Sequence, residues 1–135
     1  MVLAEDAELY FDLDVDSPHM AYACDVRAAA RQFLPAVTHV DGTARVQTVN
    51  PSIDRLAYEL LKAVKRRTGH AVLLNTSFNG QEEPIVETLN EALACLCKSE
   101  LHAVAYPPYL ITKDTSRATS THHGPGAPMI GEVDF

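Results

Sequence analysis

A polar turn that follows an apolar stretch carries the residue types in this chain that are best suited to chemistry. Val72-Leu73-Leu74 leads into Asn75-Thr76-Ser77-Phe78-Asn79, and Gly80 and Pro84 come soon after. Serine and asparagine supply neutral hydrogen-bond donors, and such groups at the end of a strand leave the sheet at a fixed angle. The turn is therefore a candidate binding site for an anionic ligand.

A second segment supplies a cation and a histidine that could complete this site. Asp41-Gly42 separates two runs of alternating apolar and polar residues, which predicts a β-hairpin over residues 35–49 with a two-residue turn. Arg45 would lie on its more polar face, either as a solvated arginine or as a bidentate clamp on phosphate or carboxylate. His39 would share its face with apolar residues, which favours a core or hinge histidine over a catalytic base. The predicted cross-strand pairs are Val40 with Thr43, His39 with Ala44, Thr38 with Arg45 and Val37 with Val46.

The elements that would position these residues follow from apolar periodicity and from capping residues. Helices are predicted over residues 4–13, from Asn50-Pro51 to Gly69, and from the capping box Thr88-Leu89-Asn90-Glu91 to about residue 98. Strands are predicted over residues 20–26 and 70–74, with residues 27–34 as a connection. A final strand over residues 101–105 and 109–112, broken by two prolines, suits a sheet edge. This order predicts an α/β (α+β) fold, a mixed twisted sheet with helices packed on it.

The last part of the chain differs in composition from the rest. Residues 114–135 are rich in Ser, Thr, Gly and Pro, which predicts a disordered tail after a domain of residues 1–113. His122 and His123 lie side by side in this tail, but two neighbouring histidines are a weak signal. We therefore predict no metal site.

Composition limits the classes of function that the chain could have. At 135 residues it fits one domain, and no run reaches the roughly 18 apolar residues of a membrane-spanning helix. Acidic Glu5 and Asp6, in place of a basic leader, predict a cytoplasmic protein. The odd number of cysteines, Cys24, Cys95 and Cys97, predicts reduced thiols. The net charge of −7 disfavours nucleic acid and anionic membranes as partners, but an anionic small molecule could still bind where arginines converge.

Several separated stretches of the chain form a set. They are Val2-Leu3-Ala4-Glu5-Asp6-Ala7-Glu8-Leu9-Tyr10-Phe11-Asp12, Ser17-Pro18-His19-Met20, Thr38-His39-Val40-Asp41-Gly42-Thr43-Ala44-Arg45, Arg66-Arg67-Thr68-Gly69, Asn75-Thr76-Ser77-Phe78-Asn79, Glu83-Pro84-Ile85-Val86 and Pro108-Tyr109-Leu110. Together they resemble the C-terminal region of the NodU/CmcH carbamoyltransferases over roughly residues 2 to 112. Because the motifs occur in the same order, the set is more specific than Asn-Thr-Ser-Phe-Asn alone.

The resemblance implies an enzyme that places a carbamoyl group on a hydroxyl of a natural product or glycolipid. Members pair an N-terminal domain of the actin-like ATPase class with a YrdC-like α/β domain that converts carbamoyl phosphate and ATP into a carbamoyl-adenylate. This chain would be a partial YrdC-like domain, with the N-terminal domain in cis or in trans. Mg²⁺ would be compatible with ATP as a substrate, and the resemblance leaves a homo-oligomer open.

The same resemblance implies roles for individual residues. Ser77-Phe78-Asn79 mirrors the Ser-x-Asn of YrdC-like proteins, so Arg45 and Ser77 are the implied catalytic residues. The implied ligand-binding residues are His39, Arg45, Asn75, Ser77 and Asn79, with Asn75 and Ser77 on the phosphate or carbamoyl part of the adenylate. Members also carry a basic, glycine-containing segment ahead of this region that this sequence lacks, which leaves activity of the chain alone open. The alternatives are a non-catalytic remnant that binds a nucleotide or a partner, and a small structural domain.

Overall fold

The computed structural model describes residues 1–113 and the strand Pro128–Glu132; residues 114–127 and 133–135 lie outside the described part. The chain divides into two compact units, Met1–Thr76 and Ser77–Phe135, and each contains helices and strands, which confirms the predicted mixed α/β class. The first unit contains β1 (Val2–Leu3), a 3₁₀ helix (Ala4–Asp6), α1 (Ala7–Tyr10), β2 (Ala23–Asp25), α2 (Ala28–Arg31), β3 (Thr43–Arg45), β4 (Thr48–Val49) and α3 (Arg55–Thr68). The second contains α4 (Leu89–Lys98), β5 (Ala103–Tyr106), β6 (Tyr109–Lys113) and β7 (Pro128–Glu132).

Within the described part of the chain, three small sheets take the place of the single mixed sheet expected from the sequence. β1 pairs with β4 in parallel, β2 pairs with β3 antiparallel, and β5, β6 and β7 form an antiparallel sheet in that order. In the first unit, the segment between β3 and β4 bonds to Ser17 instead of to a strand. Ser17 Oγ donates to the Val46 carbonyl at 2.9 Å, and the Thr48 amide donates to the Ser17 carbonyl at 3.0 Å. These main-chain groups of Val46 and Thr48 are thereby satisfied without a neighbouring strand. Residues 70–74, predicted as a strand, form one isolated bridge, from Val72 to Val2.

A turn forms at Asp41-Gly42 as predicted, but residues 40–42 separate the bonded residues His39 and Thr43, so the predicted two-residue form is wrong. Gly42 has a φ of +85°, a conformation that glycine adopts without the steric cost other residues incur. Its amide donates to the His39 carbonyl at 2.9 Å, and the His39 amide donates to the Thr43 carbonyl at 2.7 Å. The Asp41 carboxylate accepts from the Thr43 amide at 3.0 Å, so its side chain also stabilises the turn.

The strand that pairs with β3 differs from the prediction. Residues 35–37 and 40 form turns, and the Thr38 hydroxyl donates back to the Leu34 carbonyl at 2.7 Å, an alternative to strand pairing. β2 therefore pairs with β3, and the predicted pairing with residues 37–40 is wrong. The alternation within β3 is as predicted, since Ala44 is buried and Arg45 is exposed. The observed pairs are Ala23 with Arg45, Cys24 with Ala44 and Asp25 with Thr43.

Three early elements are shorter than predicted or of another type. The helix predicted over residues 4–13 begins as a 3₁₀ turn and ends at Tyr10, because Phe11 forms a bridge with Val26. The strand predicted over residues 20–26 keeps only Ala23–Asp25, because Met20 has a φ of +56° that is incompatible with a strand. Part of the predicted connection forms the short helix α2.

Helix α3 packs on β1 and β4 and ends where the sequence predicts. Asp54 caps its start by accepting from the Ala57 amide at 2.9 Å, so the helix begins several residues after Asn50-Pro51. Gly69 ends it with a φ of +83°. The Lys65 ammonium lies 2.7 Å from the carboxylate of buried Asp6, which ties the helix to the 3₁₀ turn. The core beneath α3 consists of Leu3, Val49, Leu61 and Ala71.

The second unit is built on α4, whose predicted capping box is confirmed. The Thr88 hydroxyl accepts from the Glu91 amide, and the Glu91 carboxylate accepts from the Thr88 amide at 3.0 Å. The buried core consists of Ala92, Leu96, Val104 and Ile111. The broken final strand predicted over residues 101–112 forms two strands: β5 has the predicted edge position in this sheet, whereas β6 lies between β5 and β7.

Other predictions meet the structure only in part. Where a disordered tail was expected, Pro128–Glu132 forms β7, and the rest of that tail, with His122 and His123, lies outside the described residues. All three cysteines carry free thiols. Among the described residues, no helix has the length and apolar character needed to cross a membrane.

Two neighbouring leucines of α3 provide a test of this packing. Leu61 is 0% exposed and Leu60 is 51% exposed. We expect Leu61→Ala to lower the free energy of unfolding by about 2 to 5 kcal/mol, and Leu60→Ala to change it by no more than about 0.5 kcal/mol. Urea denaturation of both variants measures the difference. Equal losses would contradict the orientation of α3.

Candidate functional site

A cavity of about 370 Å³ lies in the first unit. Its apolar lining residues include Phe11, Val46 and Val72, and its polar lining residues are His39, Arg45 and Asn75. A concave apolar pocket with a few converging polar groups is the usual form of a small-molecule site. The structure therefore brings three of the predicted site residues together within one unit.

Arg45 is the cation of this cavity. Its strand position, between buried Ala44 and buried Val46, directs the side chain away from the core. Among residues 1–113 and 128–132, no carboxylate forms an ion pair with it and no hydrogen bond from its guanidinium is present. The planar guanidinium is thus available to bind an oxyanion in bidentate fashion.

Two residues contact the side-chain amide of Asn75. Its Nδ2 donates to Gln47 Oε1 at 2.7 Å and lies 3.9 Å from the sulfur of Met20. Gln47 Nε2 in turn donates to the Pro18 carbonyl at 3.2 Å. Gln47 was not among the predicted site residues, although alternation placed it on the same hairpin face as Arg45. That shared face was the available sequence signal.

His39 lies in the Asp41-Gly42 turn and is exposed, so it is not a core histidine, and its proposed ligand contact stays a prediction. Its Nδ1 is 3.0 Å from the Thr43 hydroxyl, which donates to the Asp41 carboxylate at 2.7 Å. The Thr43 amide and hydroxyl together lower the pKa of Asp41 by stabilising its charged form. Because the Thr43 proton is directed to Asp41, Nδ1 of a neutral His39 is the donor and Nε2 is left as an acceptor.

Ser77 and Asn79 belong to the second unit. Ser77 is exposed. Asn79 uses its amide locally, since Nδ2 donates to the carbonyls of Gly80 at 2.9 Å and Glu83 at 3.2 Å. These bonds close the turn that precedes Pro84, a structural use of Asn79 that the motif alone did not indicate. The ligand contacts expected for Ser77 and Asn79 stay predictions.

Metal-binding side chains do not gather in this part of the molecule. Among the described residues, no three His, Cys, Asp or Glu side chains lie close enough to hold an ion together. The polar groups of the cavity are a guanidinium, an imidazole and amides, a set suited to an anionic organic ligand.

Comparison with known proteins identifies the family. The family model described as carbamoyltransferase C-terminus matches residues 1–113. The chain belongs to this carbamoyltransferase C-terminus family. The resemblance drawn from the separated sequence motifs is thereby confirmed.

Several relatives of this carbamoyltransferase C-terminal region are much longer proteins. Nodulation protein NolNO of Sinorhizobium fredii is 42% identical over 118 residues, which are 85% of this chain and 17% of the relative. NolO of Bradyrhizobium diazoefficiens is 39% identical, over 82% of this chain and 21% of the relative. The 3'-hydroxymethylcephem-O-carbamoyltransferase of Amycolatopsis lactamdurans is 40% identical, over 70% and 18% respectively. The chain thus spans about a fifth of the length of these relatives.

Two glycines test the turn that carries His39. Gly42 and Gly69 have nearly the same φ, +85° and +83°, but a Cβ on Gly42 would lie 2.7 Å from the Arg31 guanidinium, whereas Gly69 has open space. Gly69→Ala should lower the free energy of unfolding by about 1 kcal/mol through backbone strain. Gly42→Ala should lower it by a similar amount, with only a small added cost for moving Arg31, because the guanidinium is the far end of a flexible side chain. Thermal unfolding measures both variants, and no loss in Gly42→Ala would contradict the positive φ of Gly42 in this turn.

Proposed function

We propose that this chain forms part of the adenylate-forming site of an O-carbamoyltransferase. The proposed reaction uses carbamoyl phosphate and ATP and prepares a carbamoyl group for transfer to a hydroxyl of a natural product or glycolipid. Family membership supports carbamoyl transfer, and the name of the Amycolatopsis relative states O-transfer for that protein. The observation that carries the proposal is the cavity in which Arg45, His39 and Asn75 meet.

The chemistry requires charge neutralisation and alignment more than proton transfer. Hydrolysis of carbamoyl phosphate yields carbamate and phosphate. A carbamate oxygen then attacks the α-phosphorus of ATP, a new P–O bond forms, and pyrophosphate leaves. Both reactants are anionic and carbamate is a poor nucleophile, so a cation and fixed donors lower the barrier. Mg²⁺ would enter with ATP.

Arg45 and Ser77 have the proposed catalytic roles. The Arg45 guanidinium, without an ion-pair partner among the described residues, would bind the phosphate oxygens and stabilise the charge that develops there. The exposed Ser77 hydroxyl would donate a further hydrogen bond to the adenylate. His39, Asn75 and Asn79 are proposed as ligand-binding residues.

We further propose that the remainder of the enzyme covers one face of α3. Leu56 and Leu60 are 54% and 51% exposed, and their spacing of four residues places them on one side of the helix. Ile53, which is 63% exposed, lies in the turn just before α3. An exposed apolar stripe of this kind marks an interaction surface. The relatives are about five times longer, and the matching family is a C-terminus, so the proposed occupant is an N-terminal domain in cis or in trans.

The catalytic proposal can be tested in an assembly of the chain with an N-terminal domain. The measurement is the exchange of labelled pyrophosphate into ATP that depends on carbamoyl phosphate. Arg45→Ala should lower exchange about 100- to 1000-fold, with a smaller loss for Arg45→Lys, which keeps the charge but not the bidentate geometry. Ser77→Ala should also lower it. Arg66→Ala, at the exposed end of α3, is the matched control.

Each outcome of this assay bears on the assignment. Unchanged exchange in a folded Arg45→Ala variant would remove Arg45 from the site. If no assembly of the folded wild-type chain supports exchange, the chain is a non-catalytic nucleotide- or partner-binding module instead.

Substitution of Leu56 tests the proposed contact of α3. Leu56→Lys should leave the free energy of unfolding of the chain within about 0.5 kcal/mol of wild type, because the side chain is largely exposed. Its affinity for the N-terminal domain should fall at least about tenfold through burial of an unpaired charge. Leu9→Lys, at an exposed leucine of α1, is the control, and both affinities are measured by calorimetry. An equal effect of both substitutions would contradict the assignment of the surface to α3.

A further inference from the structure

A series of hydrogen bonds behind the cavity runs from a main-chain carbonyl to Asn75. Gln47 Nε2 donates to the Pro18 carbonyl at 3.2 Å, and Asn75 Nδ2 donates to Gln47 Oε1 at 2.7 Å. Both side chains are half-buried. Ser17, which precedes Pro18, is buried and bonded to Val46 and Thr48, so the carbonyl at the start of the series is firmly held.

The direction of this series follows from its first member. A main-chain carbonyl can only accept, so Gln47 must turn its NH₂ group toward Pro18. Its Oε1 then faces Asn75, and Asn75 must present its own NH₂ group to that oxygen. The orientation of the Asn75 amide is therefore set by the acceptor character of the Pro18 carbonyl rather than by the ligand.

The NH₂ group and the carbonyl oxygen of the Asn75 amide consequently have different roles. One N–H bonds to Gln47, and the nitrogen also lies 3.9 Å from the sulfur of Met20, a weak acceptor. Met20 has a φ of +56°, a conformation that costs about 1 to 2 kcal/mol for a residue other than glycine. Within the described residues, no protein donor is hydrogen-bonded to Oδ1 of Asn75. This oxygen is the atom left to meet a ligand.

We infer that Asn75 acts in the cavity as a hydrogen-bond acceptor for an N–H group of the ligand, and that Gln47 is the positioning residue that sets this polarity. The inference rests on the proposed function, and it assigns Asn75 to an NH₂ group of the substrates. Two groups have this chemistry: the amide of the carbamoyl moiety and the 6-amino group of adenine. A phosphate oxygen, which is also an acceptor, is excluded as the partner of Asn75 Oδ1.

Pairs of isosteric probes test the inference in the assembled enzyme. Carbamoylphosphonate and acetylphosphonate differ by NH₂ against CH₃, and AMP and purine riboside 5′-monophosphate differ by the 6-amino group. In one of these pairs the NH₂-bearing probe should bind about 3- to 10-fold more tightly to the wild-type protein, the worth of one hydrogen bond. That pair identifies the ligand group, and Asn75→Ala should reduce its ratio of dissociation constants to about one.

The Gln47 variants separate a positioning role from a structural one, because the readout is a ratio. Gln47→Leu frees the Asn75 amide to rotate and should reduce the ratio to below about twofold. The glutamate of Gln47→Glu can still accept a hydrogen bond from Asn75, so this variant should preserve the ratio even if its negative charge weakens the binding of both probes. Gln81→Leu, at an exposed glutamine of the second unit, is the matched control and should leave the ratio unchanged. Thermal unfolding confirms that each variant is folded.

A second measurement does not depend on ligand binding. Nuclear magnetic resonance of the wild-type protein should show contacts between the Asn75 side-chain NH₂ protons and the Met20 methyl group, and Gln47→Leu should weaken them. Absence of these contacts in the wild type overturns the inference. Equal affinity within both probe pairs also overturns it but leaves the proposed function standing, whereas failure of every probe to bind overturns the proposed function itself. Persistence of the ratio in Gln47→Leu removes Gln47 from the positioning role.

Discussion

The buried Ser17 hydroxyl organises the first unit. It donates to the Val46 carbonyl, while the Ser17 amide donates to the Thr48 hydroxyl and the Ser17 carbonyl accepts from the Thr48 amide. Leaving such groups unpaired in the interior would cost about 1 to 3 kcal/mol each, so the loop is fixed against the segment that follows β3. One consequence is that β3 and β4 do not continue as a single strand. The other is that Pro18 and Met20, next along the loop, are placed beside the cavity.

The alternation of side chains along β3 gives the cavity of this acidic protein its arginine. Ala44 and Val46 are buried, so Arg45 and Gln47 necessarily turn the other way. Most surface charge in a chain of net charge −7 repels anions, whereas a single arginine in the lining of a cavity offers local attraction. Overall charge therefore says little about the ligand of a localised site.

Predictions from the sequence succeed where the cause is local and fail where it is not. The Thr88–Glu91 capping box, the Gly69 helix end and the Asp41-Gly42 turn each depend on a few neighbouring residues, and all three form where predicted. The partner of β3 depends on competition between distant segments, and the Thr38 hydroxyl decides it through a bond that periodicity cannot show. Arg45 kept its predicted face because alternation is a property of one strand. Gln47 was missed because its function depends on Pro18, which lies far away in sequence.

Affinity and specificity have different sources in the proposed site. A guanidinium such as that of Arg45 attracts any suitably placed oxyanion, so it cannot separate a carbamoyl compound from an acetyl compound of the same charge. An acceptor fixed from behind can do so, because an analogue without the N–H leaves the acceptor desolvated and unpaired. To reject the analogue, the Asn75 amide must be unable to rotate and present its NH₂ group in place of its oxygen. The series from Pro18 through Gln47 supplies that restriction. Reversing the Asn75 amide would break its bond to Gln47, and reversing Gln47 to restore that bond would break the bond to the Pro18 carbonyl.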